Sequence, residues 1–247
     1  MTVLNSKEQL YLLKKGGKIC SDFLKSVKKL LRPGVSTIEL DDFAYKFITQ
    51  RGAQPAFKGY KGYPATICVS INDEVVHGIP SQRVIKDGDL VSIDMGIKYN
   101  GFYLDCAYTY PVGNVSKRIK HFLKVTLKSL YIGIRKACTG NYVGDISSSI
   151  QNFIEKHGFS VIRDFAGHGI GKNLHEEPQV PNFGNPREGM CLEEGLLLAI
   201  EPMASMGDWR VKILEDGWTV KTQDGSLSSH FEHTVMVSKR GGVILTG

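Results

Sequence analysis

Five residues of the types that bind metal ions lie in or beside apolar, strand-like runs or tight turns of this sequence. They are Asp94, Asp105, His168, Glu201 and Glu232. Burying an unpaired carboxylate costs several kcal/mol, and no Lys or Arg is interleaved in these runs to act as a partner. One such acid alone is equally compatible with an ion pair to a distant Arg. Four acids and one His together predict a shared metal site.

The types of the five ligands limit the metal and its chemistry. Carboxylates and an imidazole, without cysteine, form an oxygen-rich site that suits Mn, Fe(II), Co or Zn and argues against a closed thiolate zinc site. Four carboxylates around one ion would carry excess negative charge. Two ions that share bridging carboxylates would balance this charge, and such pairs activate water for hydrolysis. The ligand set therefore predicts a dinuclear hydrolase.

Length and composition allow one large globular domain or two small lobes. A chain of 247 residues with 42% hydrophobic content can bury a full core, and we expect a single domain over residues 1–247. No apolar stretch reaches the length of a membrane span, and the N-terminus lacks the pattern of a signal peptide. The five cysteines show no CxxC spacing and are expected to be reduced thiols. We therefore expect a cytoplasmic protein that makes no membrane contact.

The net charge is +6, and basic residues concentrate in two predicted helices. The first contains Lys14, Lys15, Lys18, Lys25, Lys28, Lys29 and Arg32, and the second contains Lys117, Arg118, Lys120, Lys124 and Lys128. The simpler interpretation is a solvated helix face. The alternative is a contact with RNA, such as that of the ribosome surface.

The sequence repeats itself at a shift of 106 residues. Residues Gly34–Gly52 align with Gly140–Gly158, with an acid at the same position in both segments and a glycine at each end. Each segment follows a basic helical stretch and precedes β-rich sequence. The repeat predicts an α+β fold of two pseudo-symmetric helix-helix-strand halves, approximately 1–110 and 111–247, around a central antiparallel sheet. Chance similarity of two amphipathic helices is the alternative.

Asn100-Gly101 predicts a type I′ hairpin between strands 90–99 and 102–110. With these two residues as the loop, Asp94 faces Ala107 and Asp105 faces Gly96. The two aspartates then lie on the same face of the hairpin as diagonal neighbours. This register supports a shared metal site independently of the ligand types.

Several separated motifs resemble those of the type I, bacterial-like methionine aminopeptidases. They are GYKGYP from Gly59, SINDEVVHGIP ending at Pro80, SIDMGIKYNGFYLD from Ser92, GHGIGKNLHEEP from Gly167, AIEPM from Ala199 and FEHTV from Phe231. The resemblance covers nearly the whole chain and implies the pita-bread fold, which agrees with the repeat. It also implies removal of the initiator methionine from nascent polypeptides.

The resemblance also implies a role for each matched ligand. Asp94 would bind one ion, Asp105 and Glu232 would bridge both ions, and His168 and Glu201 would bind the other. Glu201 would accept the proton of the attacking water. The ion held by Asp94 would bind the free α-amino group of the substrate, which restricts cleavage to the N-terminus.

Two further histidines complete the implied catalytic residues. His77 and His175 would hydrogen-bond the scissile amide and the developing oxyanion. A histidine near glycines is by itself more often a structural turn residue, and only the surrounding motif favours catalysis here. Four other histidines lack such a match and are expected to be structural. They are His121, His157, His230 and His233.

The resemblance implies an apolar pocket for the methionine side chain. It would be lined by Tyr60, Tyr63, Cys68 and Trp218, with Phe57 and Leu174 at its edge. Ordinary core packing is the alternative, above all for Phe57 and Leu174. The family often has a small residue where this chain has Phe57, an aromatic residue in place of Leu174 and a histidine in place of Lys61. The rim of the pocket is therefore expected to differ in shape.

The expected activity is hydrolysis of the bond after an N-terminal methionine by a monomeric enzyme with two divalent ions, favouring a small second residue. The expected partners are nascent polypeptide N-termini. Another pita-bread peptidase, either a prolidase or a proline aminopeptidase, would share the fold and the ligands, but those enzymes usually carry an additional N-terminal domain. A non-catalytic binding module of this fold is the third interpretation, although such relatives have typically lost metal ligands.

Overall fold

Four long helices occur in two pairs, each followed by strand-rich sequence, in a computed structural model that describes residues 1–247. The helices are α1 (Lys7–Val27), α2 (Thr37–Thr49), α3 (Lys117–Lys136) and α4 (Val143–Lys156). None of them is both long and apolar enough to cross a membrane.

The second helix of each pair begins and ends in the same way, as the sequence repeat predicts. Glu39 accepts a hydrogen bond from the backbone N–H of Ser36 at 2.8 Å, and Asp145 accepts one from the backbone N–H of Tyr142 at 2.8 Å. These acids occupy equivalent positions in the first turns of α2 and α4 and cap them. Shortly after each helix, Gly52 and Gly158 have φ values of 70° and 77°, which favour glycine.

Fifteen strands form one large sheet and two small ones. They are β1 (Gln54–Pro55), β2 (Cys68–Ile71), β3 (Glu74–Val76), β4 (Leu90–Tyr99), β5 (Phe102–Pro111), β6 (Ser160–Val161), β7 (Ala166–Gly169), β8 (Glu176–Pro181), β9 (Leu197–Ile200), β10 (Met203–Ser205), β11 (Val211–Ile213), β12 (Val220–Thr222), β13 (Ser228–His230), β14 (Glu232–Met236) and β15 (Val243–Ile244). The large sheet runs β1-β4-β5-β14-β9-β7-β8, with β2 on β4 and β15 on β14, and every pairing is antiparallel.

The hydrophobic core divides mainly along the two halves of the repeat. One cluster of 33 buried residues includes Phe23 of α1 and Phe47 of α2. A second cluster of 22 includes Phe122 of α3 and Ile150 of α4. The two helix pairs therefore support the central sheet from separate cores. The predicted α+β, pseudo-two-fold arrangement around an antiparallel sheet is confirmed.

The first basic helix is shorter than the sequence pattern predicts. Helix α1 ends at Val27, so Lys28 is its C-cap, while Lys29 and Arg32 lie in the following turns. Pro33 explains why Arg32 is not helical, because a proline disfavours helical geometry at the residue before it. The second strand of the predicted hairpin also extends one residue further, to Pro111.

Candidate metal centre and active site

The β4–β5 hairpin brings two acids onto one face of the central sheet. Asp94 pairs with Ala107 and Asp105 pairs with Gly96, the register that the Asn100-Gly101 turn predicts. Both aspartates are buried, with exposures of 9% and 4%. Side chains two residues apart on a strand share a face, so Asp105 and Ala107 point to the same side of the sheet.

Strand β14 adds a third acid to this face. Glu232 pairs with Ala107 from the other side, so the small Ala107 stands between Asp94 and Glu232 in a row across three strands. A larger side chain at this central position would fill the space between the two carboxylates. The sheet therefore holds three buried carboxylates around one alanine.

Strands β7 and β9 provide the remaining two predicted ligands. His168 pairs with Ala199, and Glu201 directly follows the last residue of β9. The Nε2 of His168 lies 3.6 Å from Oε1 of Glu201. The Nδ1 of His168 is 2.8 Å from the carbonyl oxygen of Gly169, to which it donates a hydrogen bond. That bond fixes the ring tautomer and leaves the Nε2 lone pair free as a metal ligand.

The electrostatics of this cluster favour bound cations. Oδ1 of Asp94 and Oε1 of Glu232 are buried without any hydrogen-bond partner. Burial, followed by repulsion from neighbouring carboxylates, raises the pKa of both residues well above the usual range. The same two causes raise the pKa of Asp105 to about 7. Without a counterion these acids retain protons, whereas a divalent cation would replace the protons and satisfy the oxygens.

The distances within the cluster also fit a metal. Ligand atoms of Asp105, His168 and Glu232 all lie within 4.8 Å of one another. Carboxylate oxygens and one imidazole nitrogen form a donor set that accepts several divalent ions. The residues present therefore fit a divalent metal centre.

A cavity of about 200 Å³ opens onto the cluster. Every residue that the sequence analysis places in the site lines it, together with Lys61. The lining residues are Phe57, Tyr60, Lys61, Tyr63, Cys68, His77, Asp94, Asp105, His168, Leu174, His175, Glu201, Trp218 and Glu232. The structure thus brings together residues from both halves of the chain.

One end of the cavity is formed by closely packed aromatic rings. The ring of Tyr63 contacts Trp218 edge-on, with centroids 5.1 Å apart. The hydroxyl of Tyr63 is 3.1 Å from the carbonyl oxygen of Ile67 and 3.0 Å from that of Gly78, so its polar end is held away from the cavity. The cavity therefore presents an apolar surface beside the acids.

The large Phe57 fits at the cavity because the opposing strand residue is Gly96. A Cβ atom on Gly96 would lie 2.5 Å from Cε1 of the Phe57 ring. Phe57 and Leu174 are buried at 9% and 2% exposure, and both are also part of the larger hydrophobic core. These two residues therefore belong to both the core and the cavity wall.

His77 and His175 both line the cavity. Nδ1 of His175 is 2.9 Å from the hydroxyl of Tyr60, and the two rings stack at 5.2 Å. His77 has a φ of 60° and packs edge-on against Trp218. Burial lowers the pKa of His77 to about 4, and burial together with the nearby His168 and Lys61 lowers the pKa of His175 to about 3. Both imidazoles are therefore neutral at pH 7.

His230 lies next to the site, although its sequence context predicts only a structural role. Its Nε2 lies 3.3 Å from Oε2 of Glu201 and has no hydrogen-bond partner, and the side chain is 2% exposed. The spacing contains the missed signal. Residues two apart in extended chain point the same way, and His230 stands two residues before Glu232. The other three histidines expected to be structural, His121, His157 and His233, do not line the cavity.

Comparisons with known proteins agree with this geometry. The model of metallopeptidase family M24 matches residues 11–239. A methionine aminopeptidase of Clostridium perfringens is 50% identical over 246 residues, covering 100% of this chain and 99% of the relative. The crystal structure of a methionine aminopeptidase from Thermotoga maritima superposes with a TM-score of 0.97 at 44% identity, covering 100% of this chain and 99% of that chain.

A prolidase from Pyrococcus furiosus shares only the fold. It has a TM-score of 0.81 at 21% identity, and the match covers 99% of this chain but 65% of the prolidase. The pita-bread fold is therefore common to both enzyme types, while high identity over the full length is found with the aminopeptidases. The chain belongs to metallopeptidase family M24, and within that family it groups with the methionine aminopeptidases.

Proposed function

We propose that this chain is a metal-dependent aminopeptidase that hydrolyses the bond after an N-terminal methionine. The observation that carries the proposal is the row Asp94, Ala107 and Glu232, which places two unpartnered carboxylates beside an apolar cavity. High identity with methionine aminopeptidases over the full chain supports the same activity.

Two divalent ions would balance the charge of the cluster. Asp94 would hold one ion, His168 and Glu201 the other, and Asp105 and Glu232 would bridge them. The oxygen-rich set of five ligands suits cobalt, manganese, iron or zinc. When bound, such ions lower the pKa of water and polarise the carbonyl of the scissile bond.

Glu201 is the proposed proton acceptor for the attacking water. Its side chain is 12% exposed and lines the cavity, with Oε1 3.6 Å from His168 and Oε2 3.3 Å from His230. A carboxylate in this position can accept a proton from water and pass it to the leaving amine. The neighbouring histidines restrict its rotation.

His175 and His77 are the proposed hydrogen-bond donors to the substrate. Nδ1 of His175 is hydrogen-bonded to the hydroxyl of Tyr60, and with the hydroxyl as donor the proton of the neutral ring would lie on Nε2. That N–H can stabilise negative charge that develops on the scissile carbonyl oxygen. His77 would hold the scissile amide from the other side, where Trp218 supports its ring.

The methionine side chain is proposed to occupy the apolar end of the cavity. Tyr63, Cys68 and Trp218 would contact its thioether and methylene groups, with Tyr60, Phe57 and Leu174 completing the wall. Burial raises the pKa of the Cys68 thiol well above its usual range, so this cysteine is a neutral, apolar contact. An apolar wall with a polarisable sulfur suits methionine.

The proposed partners are the N-termini of nascent polypeptides, met in the cytoplasm by a monomeric enzyme. The basic residues of α1 and α3 are exposed, and they offer a charged surface for ribosomal RNA. Co-sedimentation with ribosomes at low and high salt tests this contact. Binding that disappears in high salt would support it, and absence of binding at low salt would contradict it.

A panel of peptides tests the proposed activity. Met-Gly and Met-Ala peptides should be cleaved well, whereas Met-Leu and Met-Lys peptides should be cleaved poorly. A bulky second side chain beside His77 and His175 would displace the scissile carbonyl, and small misplacements are costly in rate. Equal cleavage of Met-Gly and Met-Lys would contradict the proposal. A requirement for proline at the second position would indicate a prolidase or proline aminopeptidase.

A further inference from the structure

A second cavity adjoins the one that contains the candidate metal centre. It has a volume of about 660 Å³ and shares three lining residues with the first, namely Lys61, His168 and His175. The charged residues in the remainder of its wall are Arg163 and three acids, Asp164, Glu176 and Glu177. A peptide whose first residue fills the metal-centre cavity can therefore continue past His175 into the second cavity.

Lys61 stands at this junction in an unfavourable backbone conformation. Its φ of 48° and ψ of 23° are left-handed, a region that lysine seldom adopts. Gly59 and Gly62, on either side, have φ values of 84° and 89°. Four backbone hydrogen bonds within residues 57–63 hold the turn, including the 2.8 Å bond from the Gly59 N–H to the Tyr63 carbonyl oxygen. Such strain persists only where the surrounding structure fixes it, and it is concentrated at functional sites.

The charge of Lys61 has no acidic partner within the protein. Its side chain is exposed and forms no ion pair, and its Nζ lies 5.5 Å from the ring centroid of Tyr60. The other cation of the second cavity is already engaged. Arg163 pairs with Glu155 at 3.6 Å and lies over the rings of Phe183 and Trp209. Lys61 is thus the free positive charge at the junction.

We propose that Lys61 is a specificity-determining residue that favours peptides with Asp or Glu at the third position. The inference rests on the proposed function, which places the first residue in the metal-centre cavity and the scissile bond beside His175. An extended chain advances about 3.3–3.6 Å per residue, and we place the third residue, the second one after the scissile bond, at the junction. A carboxylate there would form an ion pair with the Lys61 ammonium.

Amide-capped peptides of sequence Met-Gly-X-Phe, with X as Asp, Ala or Lys, test this proposal. For the metal-loaded protein at low ionic strength, kcat/KM should be about two- to fivefold higher for Asp than for Ala, and lowest for Lys, the range of an exposed ion pair. The difference should lie in KM, because an ion pair remote from the reacting bond stabilises ground and transition states equally. High salt should reduce the difference in KM between the three peptides.

Two variants and one control distinguish an effect of the Lys61 charge from an effect of the substitution on the fold. Lys61→Asn keeps a residue that tolerates the left-handed turn and should equalise the three peptides, while Lys61→Glu should invert their order. Lys58→Asn removes an exposed lysine that lines neither cavity and should leave the preference for Asp unchanged. Equal kcat/KM for the three peptides with the unmodified protein, or a preference that survives in Lys61→Asn, would overturn the inference. Absence of methionine release from all three peptides would overturn the proposed function itself, and the inference with it.

Discussion

Glu232 shows at the level of one residue why the centre needs a cation. It is 2% exposed, one of its carboxylate oxygens has no hydrogen-bond partner, and Asp94 lies on the other side of Ala107. An unpaired buried charge is costly, and a second one beside it adds repulsion. The acids must therefore either retain protons or bind metal, and only the second state leaves carboxylates that can coordinate ions for hydrolysis.

Loss of the His175 side chain should affect turnover far more than metal content. We expect His175→Ala to lower kcat by about a hundred- to a thousandfold, or about 2.7–4 kcal/mol, because a donor to the developing oxyanion is lost. Metal analysis and peptide kinetics on the same preparation test this role. A parallel fall in metal stoichiometry and rate would show instead that His175 is a ligand. Lys58→Asn provides a control with unchanged turnover and metal content.

Individual site residues were predictable where an acid lies in an apolar strand without a cationic partner, because such acids are rare. Strand acids without interleaved cations identified Asp94 and Glu201 as candidate ligands. The lining of the methionine pocket, in contrast, required the family resemblance, because Tyr63 and Trp218 are indistinguishable from core aromatics in sequence. The spacing of His230, two residues before Glu232, indicates that both side chains point the same way, but its contact with Glu201 depends on how the strands approach one another in three dimensions.

At the level of elements, β7 must lie close to both of its neighbours to place His168. A Cβ on Gly167 would lie 2.4 Å from the carbonyl oxygen of Ala199 in β9. A Cβ on Gly169 would lie 2.1 Å from the carbonyl oxygen of Glu177 in β8. The glycines on either side of His168 therefore permit backbone contacts that any side chain would prevent.

Gly167→Ala should separate β7 from β9 and displace His168 from Glu201. We expect a loss of about 1–3 kcal/mol in the free energy of unfolding, the usual range for overpacking. Affinity for the divalent ion should fall as well. Chemical denaturation and metal titration measure the two effects, and Ala166→Ser, a small change in the same strand at a half-buried residue, is the control. Unchanged stability and metal affinity in Gly167→Ala would contradict this account of β7.

Element boundaries were predictable where turn chemistry is local. The Asn100-Gly101 turn fixed the register of β4 and β5, and the repeated glycines fixed the ends of α2 and α4. The end of α1 was predicted too late, because a run of lysines continues past Val27 while Pro33 already prevents a longer helix. The order of the strands depends on long-range pairing that no local pattern encodes.

At the scale of the whole molecule, the two halves each provide part of the centre. Asp94 and Asp105 come from the first half, and His168, Glu201 and Glu232 come from the second. The ligands from both halves converge on the central sheet, so metal binding and folding stability are coupled. Chelation is therefore expected to destabilise the whole fold.

The effect of chelation should grow with pH. In the metal-free fold the pKa values of Asp105 and Glu201 are raised to about 7 from ordinary values of 3.8 and 4.5, mainly by burial. Between about pH 4 and 7 the folded state then holds more protons than the unfolded state. Its stability therefore decreases as pH rises through this window. Bound cations prevent this decrease in stability, because they balance the charge of the ionised acids.

Thermal unfolding with and without chelator at pH 6 and pH 8 measures the effect. We expect the chelator to lower Tm more at pH 8 than at pH 6. An equal decrease at both values, or a larger decrease at pH 6, would contradict the assignment of the buried acids as cation ligands. Glu39→Gln, at an exposed helix cap far from the centre in sequence, should leave the pH dependence of the chelator effect unchanged.

The most direct test of the central claim is a metal titration of chelated protein against a Met-Gly peptide. Released methionine and bound Mn²⁺ or Co²⁺ are measured in the same samples. We expect no release without metal, release that rises with bound ion up to two per chain, and neither binding nor release at normal levels in Glu232→Gln. Full methionine release from metal-free protein, or normal release by Glu232→Gln, would contradict the account.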